Sequence, residues 1–256
     1  MILTLDIGNT NIKMGAWDND QLAFVSCIGT AKLSTDDEYA VKLMELFRLN
    51  ECNRNQFDGA IISSVVPALS PVLSRAVMRV IQSPRIYQVS AGLKIGLNIK
   101  IDNPAVLGAD IVSAAVAAIA KYPLPIVIVS LGTATTLFVV NKKGEMIGGA
   151  VAPGARISLE ALSRGTAQLP HIGLDNPGNL IGTNTIDSMK SGVIYGWASL
   201  VDGMIDRMRE ELGSEVTVVA YGGDSSVILA HCREPVTIDE DLIMEGLKII
   251  YHKNAK

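Results

Sequence analysis

The sequence predicts an α/β protein made of two related domains, and an internal repeat is the main reason. A polar, glycine-containing turn between two apolar runs occurs near the N-terminus and again in the second half. Asp6 and Gly8 of the first copy correspond to Ser130 and Gly132 of the second. In each half a three-stranded meander comes first, and helices and further strands follow. Self-similarity over so long a distance indicates a duplicated domain.

Composition limits the possible classes of function. The chain has 256 residues, of which 48% are hydrophobic and 19% charged, so it can bury a sizeable core. A net charge of -4 argues against general nucleic-acid binding. The apolar run 124–131 is interrupted by Pro125 and is too short for a membrane helix. Cys27, Cys52 and Cys232 are scattered and suggest neither a disulfide framework nor a zinc site, so a cytoplasmic location is expected.

Turn signals and apolar periodicity predict the elements of the first half. Strands are expected at residues 1–5, 12–17, 21–28 and 84–89, with another that begins at residue 59 and runs into a loop. Helices are expected from Ser34 or Thr35, over 70–81 and over 110–122, with a loop at 97–108. The prolines at 123 and 125 end the last helix, so the expected domains are residues 1–122 and 123–256.

The second half repeats this order. Strands are expected at residues 126–131, 137–141, 146–150 and 216–220. Helices are expected at about 157–163, 185–209 and 242–251. The last of these helices could pack back on the first domain.

The first turn has the chemistry of a phosphate site. Gly8 lets backbone N–H groups approach an anion, and Asn9, Thr10 and Asn11 add side-chain donors. Asp6 lies at the expected end of a strand, where a carboxylate could hold Mg²⁺ through water. The alternative is an ordinary hairpin with a polar turn. The second copy favours the phosphate interpretation, because two facing glycine turns can clamp a phosphate group.

Two further positions could carry chemistry. Asp110 follows Gly108-Ala109 at the start of a helix of small and apolar residues, where it could cap the helix or accept a proton from a substrate hydroxyl. Gly222-Gly223 follows a strand and could pass close to a flat ligand such as adenine, or form a plain turn. Neither a P-loop nor a GxGxxG motif occurs.

The sequence carries an ordered series of short motifs over nearly its full length. They are Asp6-Ile7-Gly8-Asn9-Thr10-Asn11, Thr35-Asp36-Asp37-Glu38-Tyr39, Ser63-Ser64-Val65-Val66-Pro67, Asp102-Asn103-Pro104, Gly108-Ala109-Asp110, Gly132-Thr133-Ala134-Thr135-Thr136, Gly148-Gly149, Ala152-Pro153-Gly154, Thr166-Ala167 with Leu169-Pro170, Asn184-Thr185, Ser191-Gly192 and Gly222-Gly223. Together they resemble the type III pantothenate kinases, a family of the actin-like ATPase-domain superfamily.

The resemblance implies two actin-like (ribonuclease H-like) domains with a cleft between them. It implies ATP-dependent phosphorylation of pantothenate to 4'-phosphopantothenate, the first step of coenzyme A biosynthesis. The cofactors that it implies are Mg²⁺ and a monovalent cation, K⁺ or NH₄⁺. The partners that it implies are pantothenate, ATP and a second copy of the chain in a homodimer.

Matching positions imply a role for each site residue. The residues implied to bind the phosphates of ATP are Asp6, Gly8, Asn9, Thr10, Asn11, Gly132, Thr133, Ala134 and Thr135, and Asp6 would also hold Mg²⁺. Asp110 would be the general base, with Gly108 and Thr185 at the acceptor and Thr185 supplied by the neighbouring subunit. Gly222 and Gly223 would flank the adenosine.

The chain departs from the family pattern at several positions. The second turn usually begins Asp-Phe, and here these residues are Ser130, at the monovalent-cation position, and Leu131. Ile111 replaces an arginine after the base, Ile101 a substrate-binding tyrosine and Gly165 a basic residue. A lost charge-assisted hydrogen bond costs about 1.5–3 kcal/mol, which lowers affinity by roughly one to two decades.

These departures leave three functions open. The chain could phosphorylate pantothenate by itself, with basic residues elsewhere, such as Arg156 or Arg164, supplying the missing charge. It could instead be a degenerate paralogue that serves as a non-catalytic or regulatory subunit, in a heterodimer with an intact copy. It could also phosphorylate another small hydroxylated metabolite in a reshaped acceptor pocket.

Overall fold

The structure is a computed structural model that describes residues 1–255, apart from the side chain of Ala105. It contains two compact units. The first holds Met1–Leu97, Asp102–Ala120 and the segment that begins at Asp241, and the second holds Asn98–Ile101 and Lys121–Glu240. The chain passes from the first unit to the second after Ala120, and Asn98–Ile101 and the segment that begins at Asp241 are separated in sequence from the rest of their units.

The first unit is an α/β layer structure. Its strands are β1 (Ile2–Ile7), β2 (Asn11–Asp18), β3 (Gln21–Gly29), β4 (Gly59–Ser64) and β5 (Ile86–Gln88). Its α-helices are α1 (Asp36–Leu49), α2 (Ser70–Ile81), α3 (Ala109–Lys121, which ends one residue beyond the unit) and α7 (Leu242–Asn254). Two single-turn 3₁₀ helices lie at Arg54–Gln56 and Pro104–Val106.

The second unit repeats that construction. Its strands are β6 (Asn98–Ile99), β7 (Ile126–Leu131), β8 (Ala134–Val140), β9 (Glu145–Pro153), β10 (Thr217–Tyr221) and β11 (Thr237–Ile238). Its helices are α4 (Ala155–Arg164), α5 (Thr185–Leu212) and α6 (Ser225–Leu229). None of the helices in the described part of the chain combines the length and the apolar character that crossing a membrane requires.

The two sheets have the same topology, which confirms the duplication. The first sheet runs β3-β2-β1-β4-β5, and the second runs β9-β8-β7-β10-β11 with β6 added beside β9. In both, a central strand pairs antiparallel with the next strand and parallel with the strand that follows a crossover. The turn after β1 and the turn after β7 therefore occupy equivalent positions in the two units.

Each sheet is covered by apolar helix faces. In the first unit α1 and α2 bury Leu43 and Leu73 against the strands. The last helix, α7, packs on β1, β2 and β4 of the same unit and buries Leu247 and Ile250. In the second unit, α5 buries Ile194 and Val201 against β7 and β10. Burial of such side chains contributes about 1.5–3 kcal/mol each, so these faces fix the sheets that carry the turns.

Most differences from the expected elements are at their ends. Strand β1 continues to Ile7, so Asp6 lies inside the strand rather than at its end. The segment expected to be a loop at 97–108 contains β6 and a 3₁₀ turn. Pairing of β6 with β9 joins residues far apart in sequence, and local patterns do not predict such a contact.

Candidate functional site

The first turn is a compact hairpin between β1 and β2. The N–H of Gly8 donates to the carbonyl of Asn11 over 2.9 Å, and a Cβ on Gly8 would lie at the same distance from that oxygen. Thr30, directly after β3, donates its hydroxyl to the Gly8 carbonyl over 2.7 Å and its N–H to the Thr10 carbonyl over 2.8 Å. These bonds fix the backbone, while Asn9, Thr10 and Asn11 remain exposed.

Asp6 lies at the centre of a short polar row across the sheet. It pairs in register with Lys13 on β2 and with Ser63 on β4. Side chains directly opposite in neighbouring strands emerge on the same face, so the three share a face of the sheet. Lys13 Nζ is also 3.2 Å from Asp241 Oδ1, at the start of α7. A carboxylate, an ammonium group and a hydroxyl therefore come together beside the turn.

The carboxyl group of Asp6 is held in an environment that disfavours its charge. Its Oδ1 is shielded from solvent and has no hydrogen-bond partner. Burial raises the pKa of Asp6 to about 7, and the negative charge of Asp110 adds to this effect, whereas Ser63 and Lys13 act in the opposite direction. A cation bound at this carboxylate would offset both the cost of burying its charge and its repulsion from Asp110.

Asp110 lies in the same unit, in the first turn of α3. Burial raises its pKa, and its backbone hydrogen bonds, at its own N–H and that of Ile111, act against the rise. Its Oδ1 is buried without a hydrogen-bond partner. A Cβ on Gly108 would lie 2.3 Å from this oxygen, so a larger residue there would displace the carboxyl group from its present position. Asp110 therefore lies next to Gly108 and close enough to Asp6 for its charge to affect that carboxyl group.

The second turn lies between β7 and β8 and is shorter than expected. Gly132 and Thr133 form it, because Ala134 and Thr135 already belong to β8. The N–H of Gly132 donates to the Ala134 carbonyl over 3.1 Å. Thr135 is buried and accepts a 3.0 Å hydrogen bond from Trp197 of α5, a supporting contact that local sequence patterns did not predict.

Gly222 and Gly223 follow β10 and come close to this second turn. Gly222 has a φ of +117°, and a Cβ there would lie 2.3 Å from the carbonyl oxygen of Leu131. The N–H of Asp224 donates to the same oxygen over 3.1 Å. The glycine pair therefore lies beside the second turn, and the position of Gly222 requires glycine.

Thr185 lies elsewhere in the second unit. It is the first residue of α5, after Asn184, whose side chain accepts from the N–H of Asp187 as a helix cap. Thr185 is exposed and lines a cavity of about 750 Å³, whose walls also include Leu162, Met189 and Trp197. The cavity combines apolar walls with hydroxyl and amide groups, which suits a small polar ligand.

Two of the departures are clear in the structure. Ser130 pairs in register with Thr136 and Tyr221, so the row equivalent to Asp6, Lys13 and Ser63 carries no charge in the second unit. Ile111 directly follows Asp110 in α3, so an apolar residue comes after that carboxylate where the family has an arginine.

Two other departures lie away from the turns. Gly165 is the C-terminal cap of α4. Ile101 ends the short segment of the second unit that contains β6.

Comparison with known proteins gives one family. A family model described as type III pantothenate kinase matches residues 2–207. A protein named type III pantothenate kinase from an Exiguobacterium species is 42% identical over 256 residues, which is 100% of both chains.

Solved structures support the fold alone, because their sequence identities are low. Component A of the (R)-2-hydroxyglutaryl-CoA dehydratase of Acidaminococcus fermentans aligns with a TM-score of 0.59 at 14% identity, covering 100% of this chain and 99% of that one. MreB 5 of Spiroplasma citri, bound to AMPPNP, aligns with a TM-score of 0.55 at 11% identity, covering 98% and 96%. The predicted actin-like α/β fold is confirmed.

Proposed function

This chain belongs to the type III pantothenate kinase family, and from that premise we propose that it transfers the γ-phosphoryl group of ATP to the hydroxyl group of pantothenate. The products are ADP and 4'-phosphopantothenate, and the reaction is the first step of coenzyme A biosynthesis. The observation that carries the proposal is the pair of buried, unpartnered carboxylate oxygens on Asp6 and Asp110. Two such groups in one unit suit a cation ligand next to a proton acceptor.

The residues around Asp6 fit Mg²⁺. This ion binds oxygen ligands and is usually held by one or two carboxylates, with waters and substrate phosphates completing its shell. Asp6 offers a carboxylate oxygen without a hydrogen-bond partner, and burial together with the charge of Asp110 raises its pKa, so a bound cation would stabilise its charged form. When bound, Mg²⁺ neutralises phosphate charge.

The two glycine turns are proposed to bind the phosphates of ATP. In the first unit the exposed side chains of Asn9, Thr10 and Asn11 supply donors on a backbone fixed by Thr30. In the second unit, the turn at Gly132-Thr133 precedes Ala134 and Thr135, and Gly222-Gly223 beside it is proposed to flank the adenosine. Close backbone approach by glycine suits both a phosphate group and a flat base.

Asp110 is proposed to accept the proton of the acceptor hydroxyl. The hydroxyl oxygen bonds to the γ-phosphorus, the bond from that phosphorus to the β,γ-bridging oxygen breaks, and ADP leaves. Burial raises the pKa of Asp110, which makes its carboxylate a stronger proton acceptor than an exposed one. Gly108 keeps the space that this side chain needs.

Proposals for the monovalent-cation site and the acceptor site take account of the positions at which this chain departs from the family pattern. A hydroxyl at Ser130 is a weaker ligand for K⁺ or NH₄⁺ than a carboxylate, so we expect little dependence of the rate on monovalent cations. Thr185 is proposed to contact pantothenate from a neighbouring subunit of a homodimer, and the 750 Å³ cavity that it lines supports this role. We propose a cytoplasmic location, because the three cysteines are free thiols and cytosolic proteins keep their thiols reduced.

A second candidate function is a non-catalytic subunit in a heterodimer with an intact paralogue. The uncharged row at Ser130, Thr136 and Tyr221 and the apolar Ile111 favour it. An assay of ADP release separates the two candidates. The purified chain is incubated with ATP, Mg²⁺ and pantothenate, with and without K⁺. Pantothenate-dependent ADP release by the chain alone is the expected result, and release only after addition of an intact paralogue would establish the second candidate.

A further inference from the structure

One ion pair of the second unit has no part in the function proposed so far. Arg156 Nε donates to Asp224 Oδ1 over 2.7 Å, and the two residues are 68 positions apart in sequence. The Asp224 side chain is only 5% exposed, whereas that of Arg156 is 58% exposed. The pair therefore joins a buried carboxylate to a guanidinium group that reaches solvent.

Backbone hydrogen bonds connect the segments that carry both members of the pair to the second turn or to the residue before it. The N–H of Asp224 donates to the carbonyl of Leu131, directly before Gly132. On the other side the N–H of Gly154 donates to the carbonyl of Thr133 over 3.1 Å, and Arg156 follows two residues later. A Cβ on Gly154 would lie 2.2 Å from the Gly132 carbonyl oxygen, so this contact is as close as the backbone allows. The guanidinium group is consequently held beside the turn.

The position of Arg156 is unfavourable for the helix itself. It is the second residue of α4, and the first turn of that helix contains no acidic residue. A cation at a helix N-terminus is opposed by the helix dipole. The arginine is therefore held by Asp224, and positive charge from the dipole and from the side chain accumulates beside the second turn.

The outer edge of the guanidinium group is available. Nε is bound to Asp224, while Nη1 and Nη2 make no hydrogen bond or ion pair with any residue that the structure describes. These two nitrogens form the edge that binds phosphate oxygens in a bidentate manner. Arg164, at the other end of α4, differs because it is exposed and pairs with Glu160 on its own helix.

We propose that Arg156 is a phosphate-binding residue for the nucleotide at the second turn, and that Asp224 is its positioning residue. This inference rests on the proposed function and adds a specific cation to it. Asp224 fixes the guanidinium group through Nε, and the free edge meets an oxygen of the phosphate chain next to the Gly132-Thr133 turn. A positive charge supplied by the protein there would take the place of the monovalent cation that the hydroxyl of Ser130 holds only weakly.

Nucleotide binding tests this inference without requiring turnover. Isothermal titration calorimetry on the full chain measures the affinities of ATP, ADP and adenosine for Arg156→Gln, Arg156→Lys and Asp224→Asn, with Arg164→Gln as the matched control on the same helix. Loss of a charge-assisted hydrogen bond lowers affinity by roughly one to two decades. We expect Arg156→Gln to lower the affinities for ATP and ADP about tenfold or more and to leave the affinity for adenosine unchanged. We expect a smaller loss of ATP and ADP affinity for Arg156→Lys, which keeps the charge, and for Asp224→Asn. The affinities of Arg164→Gln should equal those of the wild type.

Several results would overturn the inference. If Arg156→Gln lowers only the melting temperature, the pair merely neutralises Asp224. Equal weakening of adenosine and ATP would show general damage to the site. A rise in the KM for pantothenate with unchanged ATP binding would assign the guanidinium group to the acceptor instead. Since nucleotide affinity is measured without pantothenate, a chain that does not phosphorylate pantothenate still gives a clear result.

Discussion

Asp6 and Asp110 lie close enough in the first unit for the charge of one to affect the protonation of the other. Burial, with a contribution from Asp110, raises the pKa of Asp6 to about 7. The two carboxyl groups come from β1 and α3, and both have an unpartnered buried oxygen. Such an arrangement lowers the stability of the free protein, and a bound cation offsets that cost.

The first prediction concerns the stability of Asp6→Asn. In the unfolded chain Asp6 has its ordinary pKa of 3.8, and in the folded chain the value is about 7. The unfolded state therefore loses its proton first, and stability falls as the pH rises from about 4 to about 7. Asp6→Asn removes this penalty, so we expect its melting temperature to exceed that of the wild type at pH 8 and the difference to vanish near pH 4. Each kcal/mol corresponds to about 2–4 °C.

The control for that prediction is Asp20→Asn. Asp20 is exposed, and its hydrogen bond to Lys248 lowers its pKa, so this change gives no gain in stability at pH 8. Addition of Mg²⁺ should also raise the melting temperature of the wild type more than that of Asp6→Asn. An increase for Asp6→Asn that is equal at pH 4 and pH 8 would contradict the account.

The second prediction compares two tryptophans that make the same kind of contact. Trp197 donates to the buried hydroxyl of Thr135 over 3.0 Å, beside the second turn. Trp17 donates to the buried hydroxyl of Thr4 over 3.1 Å, in the sheet of the first unit. Replacement by phenylalanine removes one hydrogen bond in each case, at a cost of about 1–3 kcal/mol.

We expect Trp197→Phe and Trp17→Phe to lower the melting temperature by similar amounts. Only Trp197→Phe should also raise the KM for ATP severalfold, because Thr135 follows the turn proposed to bind phosphate. Thermal unfolding and steady-state kinetics measure the two effects. Equal KM values in both variants would remove Thr135 from phosphate binding.

The third prediction uses the neighbouring glycines 222 and 223. A Cβ at Gly222 would clash with the Leu131 carbonyl in a backbone conformation with positive φ, whereas a Cβ at Gly223 would meet nothing within 4 Å. We expect Gly222→Ala to lose about 1–3 kcal/mol of the free energy of unfolding. Gly223→Ala should unfold like the wild type in urea, and equal losses would show that the close contact of Gly222 with Leu131 is not strained.

The sequence predicted much of this fold because the internal repeat is also a structural repeat. Asp6 and Ser130 occupy equivalent register positions, and the two sheets have the same strand order. The helix beginning after Thr35 has the predicted cap, with Thr35 and Glu38 bonded to each other's backbone. Local signals of this kind depend on neighbouring residues and can be read from the chain.

Contacts between distant segments could not be predicted in the same way. The short strand β6 exists only because it pairs with β9. The Arg156–Asp224 pair joins residues 68 positions apart, and Trp197 reaches Thr135 across 62 positions. The raised pKa of Asp6 likewise arises from tertiary burial and from a residue of another element. The electrostatics of the site therefore required the structure.

The most direct test of the central claim is a product analysis of the wild type and Asp110→Asn, each without a partner protein. ATP, Mg²⁺ and pantothenate are supplied, and 4'-phosphopantothenate is quantified by mass spectrometry with ATP affinity as a check on folding. The account predicts that the wild type forms one phosphopantothenate per ADP, and that Asp110→Asn binds ATP normally but is slower by a factor of about 10²–10⁴, the usual contribution of a general base. Absence of phosphopantothenate from the wild type, or an unchanged rate in Asp110→Asn, would contradict it.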